Sequence, residues 1–161
     1  MNTGIIEGVG GITMETEKVQ VCIETIAEQL EGCMDSWEQY LNVETGEFVA
    51  LSDGTWVETD EELAEKIEFA DCYVRLPNQY DIHEWHIMRK FAETLPVKTQ
   101  QDRLLDVLHR PKAYRRFKDE IVRLRIAEVY YNYRFLTFCD IAKEWCEDNE
   151  IPYTYRENKE K

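Results

Sequence analysis

The chain has 161 residues, a size that suits one domain able to bury roughly two-thirds of its unfolded surface without disulfides or metal. With 43% hydrophobic and 12% aromatic residues it is too apolar to be disordered despite 32% charged residues, and no apolar run approaches the ~18–20 residues that would span a bilayer. The formal charge of −14 argues against indiscriminate binding to nucleic acid or to an anionic membrane surface.

Residues 1–11 lack the basic start and long apolar stretch of a signal peptide, so the expected location is cytoplasmic. Residues 1–15 include Gly4, Gly8, Gly10 and Gly11 and have no period; they read as a flexible lead before a domain spanning 16–152. From Val19 the pattern sharpens. Val19, Cys22, Ile23, Ile26, Ala27, Leu30 and Cys33 recur at the helical period, with Lys18, Glu24, Glu28 and Glu31 on the other face and Gly32 at the C-terminal cap.

The period then changes to two. Tyr40–Val43 and Phe48–Leu51 flank Glu44-Thr45-Gly46-Glu47, a hairpin connection in which Gly46 can take positive φ. A second turn, Asp53-Gly54, precedes Thr55-Trp56-Val57, which completes an expected three-stranded antiparallel meander. Thr59-Asp60-Glu61-Glu62 is a capping box for a short helix with Leu63 and Ile67 inward. Cys72–Leu76 alternates and meets Pro77, as a fourth strand or extended connector would.

The remainder reads as helical. Asp81-Ile82-His83-Glu84 offers another capping box, followed by an apolar face of Trp85, Met88, Ala92 and Leu95 together with Ile82. Pro96 suits the first turn of a helix that buries Val97, Leu104, Leu105 and Leu108, with Gln101 as an imperfect member. Pro111 opens a basic helix with Tyr114, Phe117, Ile121 and Leu124 inward and Arg115, Arg116 and Lys118 mainly outward. Residues 126–149 form the closing helix through Tyr130, Tyr133, Ile141 and Trp145, and the polar tail 153–161 is expected to fray. The fold class is therefore α+β, with a small antiparallel β-meander in the N-terminal half and a mainly helical C-terminal half.

Several of these segments together resemble an uncharacterised family of small acidic bacterial proteins. The likeness runs through Tyr40-Leu41-Asn42-Val43-Glu44-Thr45-Gly46-Glu47, Arg75-Leu76-Pro77, Phe91 to Pro96, Ala113-Tyr114-Arg115-Arg116-Phe117-Lys118-Asp119, and Trp145 with Glu147-Asp148-Asn149. It covers roughly residues 19–152. It implies a bacterial, cytoplasmic protein and carries over no activity, cofactor or catalytic residue. The glycine-rich start and the His83/His86 pair fall outside the shared pattern.

Motifs for chemistry are sparse. The five cysteines, Cys22, Cys33, Cys72, Cys139 and Cys146, form no CxxC and read as reduced, core-filling thiols. His83 and His86 are three apart on one helix and could share a cation with Asp81 or His109, yet the sequence is not HExxH and Glu84 points elsewhere at about 100° per residue. No phosphate loop follows Gly8–Gly11 and no GxSxG elbow exists. No cofactor and no structural metal are expected.

Charge is distributed very unevenly. Residues 1–71 hold 18 Asp and Glu against 2 Lys and Arg, whereas residues 103–125 hold 8 basic against 3 acidic side chains. Arg110, Lys112, Arg115, Arg116, Lys118 and Arg123 form a candidate partner-binding strip. The competing reading lets the strip dock on the chain's own acidic half, or neutralise itself through Arg115–Asp119 and Arg116–Glu120, each four apart. The leading expectation is a non-catalytic binding or regulatory module for another macromolecule, most simply a protein. Nucleic-acid binding through residues 110–125 is the alternative, opposed by the net charge, and an enzyme of unknown reaction comes third.

Overall fold

The computed structural model describes residues 18–32, 37–52 and 59–155. The glycine-rich lead 1–15, the segment Thr55-Trp56-Val57, Cys33 and the tail from 156 lie outside the described residues.

The first helix is shorter than its apolar period. Helix α1 covers Ile23–Glu31, with Ile23, Ile26, Ala27 and Leu30 buried at three- and four-residue steps. Val19 and Val21 stay extended because tertiary partners take their amides: Val19 N–H donates to Val43 O at 2.8 Å and Val21 N–H to Pro152 O at 3.0 Å. Val21–Cys22 is strand β1, and it pairs in parallel with Tyr153–Thr154, the last strand of the chain. The start of the tail expected to fray is thus held as a strand at residues 153–154, because Ile151 just before it is buried beside α1.

Strands β2 (Trp37–Asn42), β3 (Phe48–Ser52) and β4 (Tyr73–Arg75) form a three-stranded antiparallel sheet in the order β3-β2-β4. The alternating segment before Pro77 therefore supplies the strand on the far side of β2. Leu41 in the central strand is fully buried. At the hairpin, Gly46 has φ 82° and its N–H donates to Asn42 O at 2.7 Å. The Asn42 side chain accepts from Glu44 N–H at 2.9 Å and Thr45 N–H at 3.2 Å, an Asx-type closure of the turn.

Helix α2 covers Thr59–Phe69. The cap that follows it is not the expected one. Asn78, not Asp81, is the N-cap: its side chain accepts from Tyr80 and Asp81 N–H, and Asp81 reaches back to Asn78 N–H, opening the short helix α3 (Gln79–Ile82). His83 then turns left-handed at φ 57° and α4 (Glu84–Thr94) starts afresh without a side-chain cap. The capping box expected at Asp81–Glu84 gives way to the local Asn78–Asp81 box, and Ile82 falls in a separate helix from Trp85.

Helices α5 (Lys98–Leu108), α6 (Ala113–Arg123) and α7 (Ala127–Asp148) complete the chain before β5 (Tyr153–Thr154). Leu104, Leu108, Phe117 and Ile121 are buried as their period requires, but Val97 is exposed just ahead of α5. Helix α7 has 22 residues, about 33 Å at 1.5 Å per residue, and it joins two apolar clusters. Its Phe138, Cys139, Ala142, Trp145 and Cys146 pack with α1 and the sheet. Its Tyr130 packs with Phe91 and Phe117 at ring separations of 5.2 and 5.1 Å, in edge-on geometry favoured by ring quadrupoles. Tyr133 touches both clusters. The chain is α+β, with the sheet in its N-terminal half and helices through its C-terminal half. No described helix is long and apolar enough to cross a membrane.

Candidate functional site

Two features of the helical half face solvent with chemistry to offer: the basic strip on α6 and an aromatic cleft beside it. The strip survives folding only in part as drawn from the sequence. Arg110 pairs with Asp106 at 2.8 Å, one turn back on α5. Arg116 donates from Nε to Pro111 O at 2.9 Å and so tidies the approach to its own helix. Arg123 is held by Glu120, and Arg103 binds the same carboxylate at 2.6 Å. The expected pair Arg115–Asp119 does not form, and Arg116–Glu120 does not form because Glu120 turns inward, its side chain only 11% exposed, toward Arg103 and Arg123. Among the described residues, Lys112, Arg115 and Lys118 have no ion-pair partner, and no strip residue pairs with the acidic half.

The placement of these cations opposes the stability of α6. Lys112 is the N-cap, in a left-handed conformation at φ 60°, and Arg115 and Arg116 follow within the first turn or just beyond it. No acidic residue occupies that turn, so cations crowd the positive end of the helix dipole, typically at 0.3–1 kcal/mol each (~). Tyr114 is a correction to the sequence reading. It is 47% exposed, not a member of the buried stripe, which consists of Phe117, Ile121 and the half-buried Leu124. In the first turn of α6, it lines the neighbouring cleft.

That cleft, about 330 Å³, lies between the end of α1, the α3–α4 junction, α6 and α7. Glu84 and Arg134 of its lining belong to an ionic network. Arg134 donates from Nε to Glu84 Oε2 at 2.7 Å and from Nη2 to Oε1 at 3.4 Å, while Tyr130 donates its hydroxyl to Oε2 at 2.9 Å. Arg134 also lies over the Phe138 ring at 4.6 Å, with Nη1 3.6 Å from Glu31 Oε2. Burial, with Glu84 beside it, pushes the Tyr130 hydroxyl well above the ordinary tyrosine range, so it stays a donor. Tyr80, Trp85 and Tyr114 line the sides, and His83 and His86 stand at the rim with ring centroids 5.6 Å apart.

The sequence singled out the two histidines but not Glu84, Tyr130 or Arg134. A signal was present: Tyr130, Arg134 and Phe138 sit at four-residue steps, which puts one guanidinium on an otherwise aromatic stripe. Among the described residues neither rim histidine hydrogen-bonds a hydroxyl, a thiol or a carboxylate, and no group of three His, Cys, Asp or Glu side chains is placed to hold a metal ion. Burial pushes the Cys139 and Cys146 thiols up to about 11 and about 12, which removes them as nucleophiles near neutral pH. No family model, curated protein or solved structure matches this chain.

Proposed function

We propose that the protein is a non-catalytic binding module that docks an acidic surface of another protein on the exposed face of α6, through Lys112, Arg115, Arg116 and Lys118, with Arg110 and Arg123 at its margins. One observation carries this reading. Lys112, Arg115 and Lys118 have no acidic partner among the described residues, and the cations crowd the helix end that the dipole makes least hospitable to them. Charges so placed contribute little to the fold, while an anionic partner meeting them gains from both the side chains and the helix terminus. The overall charge of −14 favours a protein over nucleic acid, since a polyphosphate would be repelled by the rest of the molecule. The proposed setting is the bacterial cytoplasm, following the resemblance carried by Tyr40–Glu47 and Ala113–Asp119.

The experiment is parallel capture from the native cell by the wild type and by Arg115→Ala/Arg116→Ala, with titration of both against DNA and RNA at two salt concentrations. A protein retained by the wild type and lost by the double variant is the expected result. Binding to nucleic acid with a steep salt dependence would replace the protein partner by a phosphate backbone. Identical capture by both forms would remove the strip from function.

A further inference from the structure

We propose that the cleft between α1, α4 and α7 binds a small organic cation with an aromatic or apolar body, held by the Glu31 carboxylate and stacked among Tyr80, Trp85 and Tyr114. The site is distinct from the outward cations of α6 and does not depend on their role.

The charge of the cleft sets the sign of its ligand. Glu31, Glu84 and Arg134 line it, two carboxylates against one guanidinium. Glu84 is already committed, since Tyr130 and Arg134 both donate to it. Arg134 is committed as well, with Nε and Nη2 on Glu84 and its plane over Phe138. Glu31 is the exception. Its closest cation is Arg134 Nη1 at 3.6 Å, beyond hydrogen-bond length, and its side chain is one-third exposed (33%). It is also the last residue of α1, a helix with no basic residue in its last turn, so the negative end of the dipole adds to its charge. An anion entering here would meet two carboxylates and a guanidinium already paired with Glu84; a cation meets an underused acceptor.

The walls set the body of the ligand. Tyr80 is 80% exposed and Tyr114 47% exposed, so two large rings stand in water around the opening. With Trp85 they bring three aromatic side chains to the lining, the residue types that attract ammonium groups through the ring quadrupole. A volume of about 330 Å³ suits a compact amine, at the small end of ligand pockets.

The test uses phenethylamine and phenylacetate, which share an aromatic body and differ in charge, titrated by calorimetry and by chemical shifts at roughly pH 8. One saturable site for phenethylamine is expected, with phenylacetate weaker by about tenfold or more, the scale of one charge-assisted contact. Glu31→Gln should weaken phenethylamine by about tenfold while the melting temperature holds, and so should the exposed-ring variant Tyr80→Ala. The proposal is overturned by no saturable phenethylamine binding, by equal or tighter phenylacetate binding, or by both variants binding as the wild type does. The α6 variant Arg115→Ala/Arg116→Ala should bind phenethylamine normally, so the cleft and the strip stand or fall separately.

Discussion

Arg134 Nε lies 2.7 Å from Glu84 Oε2 although 50 residues separate them in the chain. Both side chains are largely buried, at 16% and 18% exposure, and the pair ties the start of α4 to the middle of α7. Tyr130 makes it a three-member network. Removing Arg134 leaves a carboxylate in a half-dry cleft, so Arg134→Ala should cost about 3 kcal/mol, the low end for a broken buried pair. Glu84→Gln/Arg134→Met should cost less than the sum of the single changes, because the groups are coupled. Urea melts of the four forms would show this; additive losses would contradict the network.

Gly46 is the position where the hairpin depends on glycine. At φ 82° an L side chain is strained, and a Cβ there would meet Val19 Cγ2 at 3.3 Å. Gly46→Ala is expected to cost on the order of 1 kcal/mol, read from the urea midpoint at unchanged slope. An unchanged midpoint would show that the turn relaxes freely.

Phe117 and the two arginines before it divide α6 into a structural face and an outward one. Phe117 is fully buried against Phe91 and Tyr130. Its replacement by alanine should cost roughly 3–5 kcal/mol through lost burial and a residual cavity. Arg115→Ala/Arg116→Ala should move stability by at most about 1 kcal/mol, because relief at the helix dipole offsets the lost Arg116 contact to Pro111. A double variant that unfolds would make these arginines struts of the fold.

Glu120 gives the protein an acid-sensitive clamp. The hydrogen bond from Arg123 holds its carboxyl below the usual glutamate range; burial opposes this and the Arg103 contact adds to it. A depressed native pKa contributes stability above the ordinary glutamate value of about 4.3, and that contribution is lost as pH falls through the lower native value. The wild type should therefore lose more stability than Glu120→Gln between neutral pH and roughly pH 3, measured by urea melts at each pH. Parallel curves for the two forms would falsify this role for the clamp.

What the sequence determined by itself is the local part of this architecture. The period of Ile23, Ile26, Ala27 and Leu30 is enough to make α1, since a helix stripe is a property of neighbours three and four apart. Asn42 to Glu47 likewise contain their own turn, because its hydrogen bonds close within six residues. Tertiary structure decided the rest. Val19 and Val21 leave the helical pattern because Val43 and Pro152 offer carbonyls that no sequence window contains. Two capping boxes overlap near residue 81, and Asn78 prevails through local hydrogen bonds, leaving His83 at a left-handed bend. Tyr114 and Glu120 exchange the faces their polarity suggests: Arg103, 17 residues back, makes burial of a carboxylate acceptable, and the adjacent cleft leaves room for an exposed ring. The cleft itself joins α1, α4 and α7 through Glu31, Glu84 and Arg134, a pairing of charges that depends on distance in space and is unreadable from spacing along the chain.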